Sequence, residues 1–363
     1  MRLNLRRFDF ILLAATLALI IYGVAMVYSA TLGVDGYEQY PMRQAIYAFV
    51  GLALMVLIAA FDYRLLTSVQ WPSYILILGA LGAVTLIGQV RGGAAGWFDA
   101  GVVFIQPAEI SKVIFAVVFA QYLASHHDEL NKPQWVLGAL ALIGLPVVLV
   151  YTQPDLGNAI VLLVIGAVML FVADIPWGYI IGAAAGVVLI VPVIYANLEG
   201  YMRDRITVFF DPAKDPDGYF NVAQALISIG NGGMLGQGFT QGSQSQLHFL
   251  RVRYADFIFS VIAEELGFVG AIVLIALLLI VLWRLITIAD QARDQFGRLL
   301  VTGIITLVLF QIAVSIGMNL GLLPVTGITL PFISYGGSSM LTLLIGIGLA
   351  ESVAMRNRKI EFD

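Results

Sequence analysis

The chain has 363 residues, of which 60% are hydrophobic and 12% are charged, and its mean hydropathy is +0.93. Soluble domains carry about 25% charged residues, so this sequence lacks the polar residues needed to cover a water-exposed surface. The net charge of −4 argues against a nucleic-acid partner, and the lack of cysteine excludes disulfides and zinc–thiolate sites. Composition therefore predicts an all-α, polytopic membrane protein.

About ten apolar segments are long enough to cross a bilayer as helices, which takes roughly 20 residues each. We place them near 8–30, 44–61, 72–89, 107–124, 135–152, 157–173, 177–196, 256–283, 299–320 and 337–355. The first is too long to be the core of a cleaved signal peptide, so we interpret it as a retained helix. Lysines and arginines concentrate on one side of these spans, which predicts that both termini are cytoplasmic.

We expect a single transmembrane domain over 1–363, with one large extracytoplasmic loop over 197–255, before the eighth span. The second half of this loop is rich in Gly, Gln, Ser and Asn, as in IGNGGMLGQG, which suits tight turns and close approach of the backbone to a ligand. A short amphipathic helix at the membrane surface is predicted from apolar residues at helical spacing, namely Val222, Ala225, Leu226 and Ile229.

The fourth span begins with two charged residues three positions apart, Glu109 and Lys112. That spacing places both side chains on one face of a helix, where they can pair. Two interpretations remain open. The pair locks helix packing, or it forms a wall of a site in which Lys112 offers a cation to a phosphate or keeps a carboxylate charged.

Two further segments interrupt regular structure at the predicted outer side. Asp155 lies between Pro154 and Gly157, where it either caps the next helix or faces a watery cavity. Between the ninth and tenth spans, GLLPVTGITLPFISYGGSS contains too much proline and glycine for a regular helix. We expect this second segment, which includes Ser338, to be re-entrant or to line a substrate site.

The eighth span contains three acidic residues among apolar ones, and such charges in a membrane helix are costly and usually functional. Asp256 lies at the predicted outer mouth, whereas Glu264 lies about 12 Å deeper and Glu265 faces the opposite side. Asp256 is therefore the candidate general base, unless it caps the helix or pairs with Arg251 or Arg253. Glu264 and Glu265 are predicted to be structural polar links between helices.

The sequence resembles the SEDS family (shape, elongation, division and sporulation), most of all its rod-shape branch. The resemblance spans most of the chain and rests on QPAEISK, QPDLG, IGNGGMLGQG, ADFIFSVIAEELGFVG and GLLPVTGITLPFISYGGSS, in the family's order. It implies a peptidoglycan glycosyltransferase of the bacterial plasma membrane that polymerises lipid II. The essential acid of the family's Thr-Asp-Phe-Ile-Phe motif falls on Asp256, and its fourth-span acid and lysine fall on Glu109 and Lys112.

The resemblance also implies partners and a source of positive charge. The expected partners are a class B penicillin-binding protein acting as transpeptidase, other membrane proteins of the elongation machinery, and membrane lipid. The departing pyrophosphate would be stabilised by Lys112, by a loop arginine or by a bound divalent cation such as Mg²⁺. No metal ligands are assigned from the sequence.

Three positions depart from the family pattern. Ala95 and Gly96 stand where an arginine usually precedes the tryptophan, Arg251 and Val252 replace a Pro-Glu pair, and Ala255 replaces a threonine. Arg91 is the nearest substitute for the missing arginine. The candidate substrate-binding residues are Arg91, Trp97, Glu109, Lys112, Asp155, Arg251, Arg253 and Ser338.

Two other functions remain compatible with the sequence. A lipid II flippase would depend more on the deep charged residues Glu109, Lys112 and Glu264 than on Asp256. The absence of a clear inverted repeat weighs against a transporter. A non-catalytic scaffold that activates a class B penicillin-binding protein would need no general base at all.

Overall fold

The computed structural model describes residues 7–91, 94–99, 104–196, 200–247 and 249–357. Its helices, in chain order, are α1 (Phe10–Thr31), α2 (Tyr40–Ala60), α3 (Leu66–Ile87), α4 (Pro107–Ser125), α5 (Pro133–Tyr151), α6 (Leu156–Val172), α7 (Trp177–Ala196), α8 (Gly200–Phe210), α9 (Pro216–Gly232), α10 (Ser243–Gln246), α11 (Ile258–Asp290), α12 (Gln295–Asn319) and α13 (Gly337–Met355).

The helical bundle matches the predicted spans closely. In the described part of the chain, eight helices are long and apolar enough to cross a membrane, and the shorter apolar helices Leu156–Val172 and Trp177–Leu189 correspond to the sixth and seventh predicted spans. The most deeply buried of the eight are α4, α12 and α13, whose packing forms the centre of the bundle. The chain is thus a multi-pass membrane protein, as composition predicted, while its orientation in the membrane stays a prediction.

A short antiparallel sheet between α3 and α4 was not predicted. Its strands are β1 (Gln89–Arg91), β2 (Ala94–Asp99) and β3 (Phe104–Ile105), in that order. Small residues and glycines between the two helices favour a tight turn over another span. Apart from this sheet, the all-α prediction is confirmed.

The irregular segment between α12 and α13 enters the bundle, as expected of a re-entrant chain. Phe332 and Ile333 are fully buried, and a Cβ atom at Gly23 of α1 would lie 2.5 Å from the Phe332 carbonyl oxygen. Gly23 lies eight residues before the end of α1, which is about 12 Å along a helix. Glycine at this position therefore permits the segment to reach well below the end of the bundle.

The large loop over 197–255 is folded wherever it is described; residues 197–199 and 248 lie outside the described part. The predicted amphipathic helix is confirmed as α9, with Val222 and Ala225 buried. Rather than lying flat on the surface, α9 packs against α11, so that Gly232 contacts Ala263. The division into a single domain with one outer loop stays a prediction.

A break in α11 receives the chain that follows α9. Gly267 has a φ of 69°, and its backbone contacts the backbone of Gly236, so a side chain at either position would clash. Four backbone hydrogen bonds join the two segments: Gln237 N–H to Glu264 O, Gly238 N–H to Glu265 O, Phe268 N–H to Gly233 O, and Val269 N–H to Met234 O, at 2.9–3.2 Å. Backbone groups at membrane depth must be paired, and here the loop pairs them.

The two deep glutamates strengthen the same junction. Glu264 is fully buried and accepts hydrogen bonds from the Gln244 and Ser245 backbone amides, at 2.7 and 3.1 Å, and from the Ser245 hydroxyl. Glu265 accepts from Ser29 of α1 and from the Thr240 amide. These contacts are compatible with the predicted structural role of both residues, although Glu264 links α11 to the loop and Glu265 links it to α1 as well.

Candidate active site

A pocket of about 360 Å³ lies at the predicted outer end of the bundle. Its walls are the sheet, helix α8, the N-termini of α4 and α6, the turn before α11, and the irregular segment before α13. Five residues from the predicted site line it: Trp97, Glu109, Asp155, Asp256 and Ser338. These residues come from five separate parts of the chain, and the fold brings them together.

Asp256 lies just before α11, and its carboxylate is available for chemistry. The N-cap residue of α11 is Phe257, so Asp256 does not cap this helix. The Asp256 carboxylate makes no hydrogen bond or ion pair with any described residue, which leaves pairing with Arg251 or Arg253 without support. Burial raises the pKa of Asp256 to about 6, and the positive charge of Arg205 opposes that rise. A carboxylate with such a pKa is well suited to accept a proton near neutral pH.

The backbone around Asp256 is fixed from two sides. The Asn319 amide of α12 donates to the Asp256 carbonyl at 2.8 Å, and the Ser334 hydroxyl donates to the Ala255 carbonyl at 2.7 Å. Val252, in the same turn, has a φ of 51°, a left-handed conformation that is uncommon for a β-branched residue. Strained backbone of this kind clusters at functional sites, where the surroundings hold it in place.

Asp155 fills both of the roles considered for it. Its carboxylate caps α6 by accepting from the Asn158 amide at 3.0 Å, and it also accepts from the Gln106 side chain at 3.0 Å. Burial raises the pKa of Asp155, while the hydrogen bonds from Asn158 and the charge of Lys112 lower it. The residue thus fixes the start of α6 and gives the pocket a polar wall.

Glu109 and Lys112 form the predicted ion pair, with 2.7 Å between Lys112 Nζ and Glu109 Oε1. Lys112 is fully buried and does not line the pocket, whereas Glu109 does. The second carboxylate oxygen of Glu109 has no hydrogen-bond partner among the described residues. Both members of the pair are buried, and Glu109 is the one that lines the pocket, so a role in the site stays a prediction for this pair.

Two of the predicted arginines, Arg251 and Arg253, do not line this pocket. Arg253 is 7% exposed, and its guanidinium donates to the carbonyls of Ala30 and Leu250, so it serves packing and lines neither this pocket nor the next. Arg251 lines a second pocket on the other side of Asp256. The Arg91 side chain lies outside the described residues. A direct substrate role for Arg253 stays a prediction, and these contacts give it no support.

Two features of the pocket were missed by sequence reasoning. Arg205 of α8 lines the pocket. The sequence had suggested only that some arginine of the loop could stabilise the departing pyrophosphate. Tyr335 also lines the pocket and belongs to a cluster of stacked and edge-on tyrosine rings from three separate segments, with Tyr37, Tyr40 and Tyr254. No spacing in the sequence indicates such long-range contacts.

The described residues contain no group of three or more histidine or acidic side chains arranged to hold a metal ion. Asp155, Glu109 and Asp256 line one pocket without converging on a common point. They do not fit the donor set of a dedicated divalent-cation site.

Comparison with known proteins finds relatives that match nearly the whole chain. The peptidoglycan glycosyltransferase MrdB of Escherichia coli K12 is 36% identical over 345 residues, covering 94% of this chain and 92% of that protein. The crystal structure of the rod shape determining protein RodA of Thermus thermophilus is 28% identical, with a TM-score of 0.72 over 97% of this chain and 98% of that chain.

A further solved structure concerns the coordination of polymerization and crosslinking by a peptidoglycan synthase complex. One of its chains is 32% identical, with a TM-score of 0.82 over 96% of this chain and 97% of that chain. Residues 10–359 match the family described as cell cycle protein, which comprises FtsW, RodA and SpoVE. The chain belongs to this family, the SEDS proteins.

Proposed function

We propose that this peptidoglycan glycosyltransferase polymerises lipid II into glycan strands during cell-wall elongation, with Asp256 as the general base. The observation that carries the proposal is the carboxylate of Asp256, which lines the pocket and has no hydrogen-bonding or ion-pairing partner among the described residues. The names of MrdB and RodA support the reaction class and the elongation role.

The chemistry follows from the position of this carboxylate. A hydroxyl of the acceptor sugar gives its proton to Asp256 while its oxygen attacks the anomeric carbon of the lipid-linked donor. The bond between that carbon and the pyrophosphate oxygen breaks, and undecaprenyl pyrophosphate leaves. Glu109 and Asp155 present acceptor oxygens that can orient sugar hydroxyls.

Positive charge is needed where the pyrophosphate departs. Lys112 is unsuited to this role because it is fully buried and bonded to Glu109. Arg205, at the pocket wall near Asp256, is the better candidate. A requirement for a divalent cation such as Mg²⁺ is tested directly by running the reaction with and without a chelator.

We also propose a class B penicillin-binding protein as partner, together with other membrane proteins of the elongation machinery. The support is the solved synthase complex, in which a related chain works where polymerization and crosslinking are coordinated. Crosslinking is a transpeptidase reaction, and in this proposal the partner carries it out.

The proposed function predicts a specific pH profile. The purified protein, with and without its partner, is expected to polymerise lipid II at a rate that falls as the pH drops through about 6, because protonated Asp256 cannot accept a proton. Single-turnover rates between pH 5 and 8 measure this. The same inflection is expected in an Asp155→Asn variant, which distinguishes Asp256 from the other pocket carboxylate whose pKa is raised.

Two outcomes would contradict the proposal. A rate that is flat across pH 5–8 would exclude Asp256 as the titrating base. Absence of polymer under all these conditions, together with lipid II translocation in liposomes, would favour a transporter, and absence of both activities would favour a scaffold.

A further inference from the structure

A cleft of about 470 Å³ lies at the end of the bundle opposite the candidate active site. It forms where the start of α1 meets the ends of α11 and α13, so roughly 40 Å of α11 separates it from Asp256. Because both termini are predicted to be cytoplasmic, the cleft lies at the predicted cytoplasmic surface of the membrane. We call it the arginine cleft, after Arg7 and Arg284, which line it.

Positive charge predominates among the residues that line the arginine cleft. The two arginines are accompanied by one acid, Asp9, whose carboxylate is fully engaged. Its Oδ1 atom caps α1 by accepting from the Leu12 amide at 3.0 Å, and its Oδ2 atom lies 2.6 Å from a guanidinium nitrogen of Arg284. Two nearby acids, Asp290 and Glu351, do not line the cleft. The lining charges therefore leave an excess of one positive charge.

Arg7 is the cation that remains available to a ligand. Its guanidinium forms no ion pair with a described residue, and its hydrogen bond within the described chain goes to the Asn357 carbonyl. Guanidinium groups bind phosphate oxygens through paired hydrogen bonds, and the remaining N–H groups of Arg7 suit that use. Gln291 and Asn357 also line the cleft, and their side-chain amides can donate to further anion oxygens.

The surroundings of the cleft are apolar and face lipid. Phe10 and Ile11 of α1 are 62% and 50% exposed, and Trp283 and Ile286 of α11 are 56% and 53% exposed. Both helices are long and apolar enough to cross the membrane, so these side chains border the acyl chains. Tryptophan is enriched at the membrane–water interface, and the Arg284 guanidinium lies 5.2 Å from the centre of the Trp283 ring. A ligand here meets cations and amides beside hydrocarbon.

We infer that the arginine cleft binds the headgroup phosphate of an anionic phospholipid, whose acyl chains lie along the exposed apolar side chains of α1 and α11. Basic pockets between membrane helices bind anionic headgroups in this way. A zwitterionic headgroup fits less well, because its own cation would approach Arg7 and Arg284. A soluble phosphate would make no use of the apolar surroundings. The bound lipid joins the ends of three helices, and its binding does not depend on the proposed reaction.

Titration of the purified protein with two lipids tests this inference. Native mass spectrometry from detergent micelles measures Kd for dioleoylphosphatidylglycerol, with dioleoylphosphatidylcholine as a zwitterionic control that has the same acyl chains. Phosphatidylglycerol is expected to bind about tenfold more tightly. Arg7→Gln should raise its Kd about fivefold or more, whereas Arg7→Lys, which keeps the charge, should stay within about threefold of the parent. The matched control is Arg293→Gln, an exposed arginine that does not line the cleft, with an expected change below about twofold.

A second variant tests the shape of the site without changing its charge. Gln291 is exposed, so Gln291→Trp should fold normally, as thermal unfolding can check, and should fill the cleft and raise the phosphatidylglycerol Kd about fivefold or more. Equal affinity for the two lipids, equal losses in Arg7→Gln and Arg293→Gln, or unchanged binding by Gln291→Trp would each overturn the inference. Displacement of the lipid by sodium phosphate, but not by sodium chloride of equal ionic strength, would assign the cleft to a soluble phosphate instead.

Discussion

Asp256→Asn is expected to lower the rate of lipid II polymerisation by about 100-fold or more, because general-base catalysis contributes roughly 10²–10⁴-fold. Asparagine keeps the size of the side chain but cannot accept the proton of the acceptor hydroxyl. The backbone bonds from Asn319 and Ser334 do not involve the carboxylate, so the turn should keep its shape.

Gel analysis of glycan products from labelled lipid II measures this effect, with thermal unfolding in detergent as the check on folding. The matched control is Asp211→Asn, another acid on the same loop, which pairs with Lys214 and lines neither pocket. Polymer formation by Asp256→Asn at more than a tenth of the normal rate would contradict the assignment of this residue as the base.

Lys112→Met is expected to reduce the free energy of unfolding by about 3–5 kcal/mol, the usual cost of leaving one partner of a buried ion pair uncompensated. Lys112 and Glu109 have side-chain exposures of 0% and 8%, so water cannot replace the lost partner. The double variant Glu109→Gln/Lys112→Met removes both charges and should recover most of the stability.

Reversible unfolding by sodium dodecyl sulfate in mixed micelles measures these differences. The matched control is Lys132→Met, since Lys132 pairs with Glu129 at the same spacing and the same 2.7 Å distance but on the surface. That variant should be indistinguishable from the parent, because exposed pairs contribute little. A Lys112→Met protein as stable as the parent would mean that Glu109 finds another partner.

Much of the architecture could be predicted because hydrophobic length is a strong signal in membrane proteins. The ten apolar segments fall in helices, and eight of these have both ends within four residues of those expected, whereas α3 begins six residues earlier and α11 ends seven residues later. Apolar spacing located α9. The sequence also singled out Asp256, since a carboxylate at the mouth of an apolar helix is costly unless it has a function. The residue does line the pocket, while its role as the base stays a prediction.

Other features depend on contacts that no local pattern encodes. Arg253 is two residues from Arg251, yet one points into the bundle towards Ala30 and the other lines a pocket. Lys112 was a plausible phosphate ligand by charge, and only its burial beneath Glu109 argues against that role. The sheet before α4 was missed because its strands are only two to six residues long.

The junction between the loop and the break in α11 has a consequence for biosynthesis. The amides of Phe268 and Val269 are paired by carbonyls of residues 233 and 234, so this helix cannot complete its backbone bonding alone. Unpaired amides are costly within lipid. An α11 inserted without the loop would therefore need a different backbone conformation at its break. Because the loop precedes α11 in the chain, it leaves the ribosome first, and the helix can meet its partners as soon as it is inserted.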